Sequence, residues 1–151
     1  MIPQLPRDHN ARGPCCGEGC EAVILPKWMR VAMLATAAMN CLGAFAFVPS
    51  ITALRNQFGF PQNVHPLYLW IIAEFIFIFG VAYAWAGFSG RASRLFVAVG
   101  AAGKLAFFGT IAAFALSGEL PFKTILNASG DLIFGLLFAF WIFQTRNQLG
   151  K

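Results

Sequence analysis

The sequence predicts an all-α fold, an integral membrane four-helix transmembrane bundle with both termini in the cytoplasm. Three observations carry this reading. Hydrophobic residues make up 58% and charged residues 11% of the 151 positions, where soluble domains run at roughly half and a quarter. Four apolar runs of 20 residues or more follow one another along the chain, each long enough to cross about 30 Å of hydrocarbon at about 1.5 Å per residue. The basic residues flank those runs unevenly, as the positive-inside rule requires.

Residues 1–26 are polar, rich in Pro and Gly, and carry Cys15, Cys16 and Cys20. No apolar core follows the first basic residue, so this stretch reads as a flexible cytoplasmic tail rather than a signal peptide. The transmembrane domain is expected over 27–145. Its first span covers about 28–48, opened by Trp28 between Lys27 and Arg30 and closed by Pro49. The loop PSITALRNQFGFPQNVHP comes next. Its Ile51, Leu54 and Phe58 recur at helical spacing, which predicts a short helix on the membrane surface before Gly59 and Pro61 break it. The second span covers about 67–88, with Tyr68 and Trp70 at one end and Tyr83 and Trp85 near the other, placed as interfacial aromatics. SGRASR connects it to the third span, about 95–116, and Ser117, Gly118, Glu119 and Pro121 turn the chain into the fourth, about 122–143. Residues 146–151 form a short C-terminal tail.

Four spans put the tail, the second loop and the C-terminus on one side. Arg7, Arg12, Lys27, Arg30, Arg91, Arg94, Arg146 and Lys151 fall on that side, and only Arg55 and Lys123 on the other. That bias places both termini in the cytoplasm, of a bacterial inner membrane if the source is bacterial. A net charge of +5 dispersed in this way marks topology and excludes a nucleic-acid-binding patch.

The polar residues inside the apolar runs are the candidate site. Asp131 sits in the run NASGDLIFGLLFAFW, where a charged residue costs about 2.5–3.5 kcal/mol on insertion scales. Asn40, Glu74, Lys104 and Asp131 all fall between the midplane and the outer half of their helices, with Asn127 one turn from Asp131. A shared depth is what an interacting cluster requires. Two readings stand side by side: a clamp that fixes helix register, or the lining of a small cavity for a proton, ion or head group. Two acids against one base would leave one carboxyl protonated and its proton labile. Thr36, Asn40, Gly43 and Ala44 on the first helix form a small, polar face, as do Thr124, Asn127 or Ala128, Asp131 and Gly135 on the fourth. Gly100, Gly103, Ala106, Gly109 and Ala113 of the third predict close approach of a neighbouring helix.

His9, Cys15, Cys16 and Cys20 offer soft metal ligands, but adjacent cysteines followed by a three-residue gap depart from the paired CxxC pattern of zinc sites. A thiol-bearing tail is expected rather than a metal centre. Cys41 reads as a small packing residue. In the outer loop, His65 reads as an interfacial residue or as a proton relay toward Glu74, about 13 Å deeper at helical rise. Arg55 reads as a contact for lipid phosphate. No nucleophile elbow, phosphate-binding glycine loop, HExxH or CxxCH occurs, which leaves the catalytic residues unknown and leans against an enzyme.

Four spans with a longer first outer loop, the Gly103–Lys104 pair, and the Gly130–Asp131–Leu132 step into an aromatic-rich last helix resemble the DoxX-like group of small bacterial membrane proteins. The resemblance covers about Met29 to Phe143, and the cysteine-bearing tail lies outside it. It implies a component of a quinone-linked oxidoreductase, with a quinone or lipid as the bound molecule. The small size and missing catalytic motif put a non-catalytic accessory or scaffold subunit first, beside a membrane-protein partner or in a homo-oligomer. The DoxX-like quinone- or lipid-handling role comes second, and a small transporter or proton path third.

Overall fold

The computed structural model describes residues 22–146. They form five helices and a two-stranded ribbon, in the order β1 (Ala22–Ile24), α1 (Lys27–Phe45), α2 (Thr52–Phe58), α3 (Pro66–Ser89), β2 (Arg91–Ser93), α4 (Arg94–Leu116) and α5 (Lys123–Arg146). Four of them, all but α2, are long and apolar enough to cross a membrane. They are also apolar on the outside. Only 22% of the apolar window of α3 is buried, and Trp85, Phe88 and Leu116 stand largely exposed. Helices apolar all round belong in lipid rather than in water, so the four helices suggest an integral membrane protein.

The helix ends explain the boundaries. Pro26, extended, leads into α1. The helix stops at Phe45, short of the expected Val48, because the backbone tightens into three-residue bonds from Phe47 N to Ala44 O and from Val48 N to Phe45 O. Gly59 (φ 82°) and Gly90 (φ 69°) take the left-handed conformation that closes α2 and α3. Pro66 opens α3, and the Nδ1 of His65 accepts the Leu67 N–H at 3.2 Å. His65 is therefore the N-cap of α3. Ser93 does the same for α4, its Oγ accepting from Phe96 N at 3.1 Å.

The helices pack as two pairs, α1 against α3 and α4 against α5. In the first pair the contact runs along Gly80 and Gly87, with Ala73, also buried, seven residues before Gly80. A Cβ on Gly80 would stand 3.0 Å from Cys41 Sγ, and one on Gly87 2.7 Å from Leu34. In the second pair Gly135 admits Leu105, which would stand 2.9 Å from an added Cβ. Gly103 and Gly109, expected to let a helix approach, would meet nothing within 4 Å. Gly103 opens space instead of closing it.

The buried cluster of Leu25, Met29, Met33, Val97, Phe138 and Trp141 gathers at one end of the bundle. The ribbon seals that end. Ala22 pairs with Ser93, Val23 with Ala92 and Ile24 with Arg91, antiparallel, and Leu25 N donates to Gly90 O at 2.8 Å. Residues 22–24 were expected in a flexible tail. They are ordered because the extended turn after Gly90 leaves a free edge that Val23 and Ile24, both β-branched, can pair with. Arg30 donates to Gly87 O and Phe88 O, and Arg94 to Ile142 O. Basic residues read from sequence as topology markers also serve the open carbonyls at helix C-termini.

A candidate functional site: an apolar cavity and its polar wall

At the opposite end the two pairs part, and a cavity of about 710 Å³ lies between them. Helix α2 lies over it, with Ile51, Leu54 and Phe58 in its wall. Those three residues do share one face, as their spacing predicts, but the face turns into the bundle. Phe75, Phe79 and Tyr83 of α3 and Val99, Gly100, Gly103 and Phe107 of α4 continue the wall.

One polar group crosses it. Lys104 Nζ lies 2.6 Å from Asp131 Oδ1 and donates to Asn40 Oδ1 at 3.1 Å, so a single ammonium joins α4 to α5 and to α1. The Lys104 side chain is 6% exposed and that of Asp131 20%. Asn40 is fixed in turn, its Nδ2 donating to Ile76 O of α3 at 3.4 Å. All three residues line the cavity. The ammonium has three N–H donors and spends two of them here, so one is left for a further acceptor. Its charge also lies 5.8 Å from the Tyr83 ring centre and 6.0 Å from that of Phe134.

Tyr83 was expected to be an interfacial aromatic. It is 2% exposed and forms the floor, its ring packed on Phe96 and Phe138 at centroid distances of 5.4 and 5.6 Å. Asn127 also lines the cavity, and its Nδ2 donates to Phe58 O at 3.3 Å, which ties the end of α2 to α5. Lys123 Nζ makes a parallel tie to Asn56 O at 3.1 Å.

Glu74 does not join the cluster. It is exposed on α3, amid Leu67, Trp70, Ile71, Phe77, Ile78 and Val81, which are exposed as well. Among the described residues the single ion pair is Lys104–Asp131. The reason is register: Ala73 takes the buried side of α3, and the next residue along a helix is turned by about 100°. With one base and one acid the cluster is electrically balanced, and the expected excess carboxyl with its labile proton falls away. His65 is spent as the cap of α3, its Nδ1 taken by the Leu67 N–H. Arg55, expected in the outer loop as a contact for lipid phosphate, is 4% exposed. The possible metal ligands His9, Cys15, Cys16 and Cys20 lie outside the described residues.

Geometry of this kind can hold an elongated, mostly apolar molecule and offer it one charge-assisted hydrogen bond part-way along. Its volume lies within the roughly 300–1,000 Å³ of small-molecule sites. No protein-family model, curated protein or solved structure matches the chain.

Proposed function

We propose that the chain spans the bacterial inner membrane four times, with both termini in the cytoplasm, and binds a membrane-soluble amphiphile of the lipid or quinone class. The observation that carries this is the Lys104–Asp131–Asn40 group set in the wall of an apolar cavity. The free N–H of Lys104 meets a carbonyl or hydroxyl oxygen of the ligand, and the Phe-rich wall takes its chain. In this orientation α2 lies at the outer face, and the ligand enters laterally from the bilayer or beneath α2. Purification in mild detergent, followed by extraction and mass spectrometry of bound lipids and quinones, tests it. Wild type carries a stoichiometric amphiphile, and Gly103→Leu, which projects into open space, loses it. Equal, non-stoichiometric lipid in both would refute the reading.

A second reading is favoured by Glu74. A carboxyl on an outward apolar stripe is expensive in lipid, and a cationic group on a neighbouring membrane protein would relieve it. That supports a place as an accessory subunit of a larger complex. A stoichiometric partner in a mild-detergent pull-down, lost in Glu74→Leu, is the expected result.

A further inference from the structure

Arg55 is 96% hidden from solvent, at 4% exposure, and neither its Nε nor its Nη1 has a hydrogen-bond partner. A buried guanidinium needs an acceptor, because nothing else offsets its lost hydration. The acids of the described residues are accounted for elsewhere. Asp131 holds Lys104, Glu119 is exposed and accepts from Ser117 Oγ at 3.1 Å, and Glu74 is exposed on α3.

The surroundings of Arg55 are also short of acceptors. Residues four apart share a helix face, so Arg55 lies on the side of α2 that carries Gly59. That side meets α5, since a Cβ on Gly59 would stand 2.8 Å from Thr124 Oγ1 and 3.0 Å from Lys123 Cε. Thr124 is fully buried, and its hydroxyl too has no partner. The junction of α2 and α5 thus holds two cationic side chains and an idle hydroxyl donor, with no carboxylate.

The geometry points to an oxyanion site at Arg55 and Thr124, filled by a phosphate group. This rests on the amphiphile reading and narrows it. Thr124 is seven residues before Asp131, about 10 Å along the helix, and Leu54, next to Arg55, and Phe58, one turn after it, line the cavity, with Arg55 and Thr124 behind that lining. A phosphate bound there heads a molecule whose chains run down the cavity past Lys104. The ligand is then an anionic lipid, and a neutral quinone leaves Arg55 unanswered. A free phosphate ion offers the same chemistry without the chains.

The test uses the full chain in lipid-free detergent, with dioleoylphosphatidylglycerol, dioleoylglycerol and inorganic phosphate as probes. Native mass spectrometry and thermal unfolding are the readouts. Wild type is expected to prefer dioleoylphosphatidylglycerol over dioleoylglycerol at least tenfold. Arg55→Gln abolishes that preference, and Arg55→Lys keeps part of it. If inorganic phosphate alone raises the unfolding temperature of wild type but not of Arg55→Gln, the site stands and its source is a free ion. Without added anion, Arg55→Gln unfolds at the same temperature as wild type or higher, because it loses an unpaired charge. A collapse of that temperature, or a lipid preference that survives Arg55→Gln, overturns the site. Gly103→Leu separates the two proposals. If it leaves binding of both lipids intact, the cavity reading fails while the Arg55-dependent preference stands.

Discussion

Tyr83 and Gly100 are matched across the floor of the cavity: a Cβ on Gly100 would stand 2.6 Å from Tyr83 Oη. Helix α4 passes the ring closely only because that position has no side chain. Gly100→Ala is expected to displace Tyr83 and destabilise by about 1–3 kcal/mol through overpacking. Gly103→Ala, which meets nothing within 4 Å, should instead stabilise by up to about 1 kcal/mol through helix propensity. Thermal or denaturant unfolding of both variants in one detergent decides it by sign. Equal effects would mean that Tyr83 does not rest on Gly100.

Breaking the buried pair from one side strands the other charge. Asp131→Leu should destabilise by about 3–5 kcal/mol, because it strands the Lys104 ammonium at 6% side-chain exposure, and Lys104→Met by somewhat less, since the stranded Asp131 side chain is 20% exposed and open to partial solvation. The double variant should recover most of the loss. A double-mutant cycle on unfolding free energies measures the coupling, and strictly additive effects would refute a pair that joins α4 to α5.

Glu74 should behave in the opposite way. On an outward apolar stripe, Glu74→Leu should leave the isolated protein equally stable or more so, by up to about 2 kcal/mol, and leave the coupling of Lys104 and Asp131 unchanged. Repeating the same double-mutant cycle in a Glu74→Leu background is the check. A coupling that changed by more than about 1 kcal/mol would place Glu74 back among the interior charges.

Ser93 ends the ribbon and caps α4 at once. Ser93→Ala should lower stability by about 1 kcal/mol and raise amide exchange in the first turn of α4. Hydrogen exchange resolved to that segment would show it, and unchanged exchange would deny the cap.

The spans were legible in the chain to within three residues, because length and hydropathy alone set them. So was the pairing of Lys104 with Asp131, through their shared depth. Depth, however, says nothing about facing, and Glu74 was misread for that reason. A finer signal was present: Ala73, Gly80 and Gly87 recur every seven residues and trace the buried side of α3. Glu74, next to Ala73, falls off that side. Arg55 gave no comparable clue. Its burial follows from the inward turn of α2, which depends on Asn127 and Lys123 reaching the carbonyls of Phe58 and Asn56, contacts between residues some seventy positions apart. The strand at Ala22–Ile24 was hidden likewise, since three residues pair only when a distant edge is offered.

Met29, Met33, Phe138 and Trp141 fill the end closed by the ribbon, so the cavity stops short of that end. A guest seated near Lys104 would meet that packed end before it could cross the bundle. Conduction would require that plug of methionine and aromatic side chains to come apart.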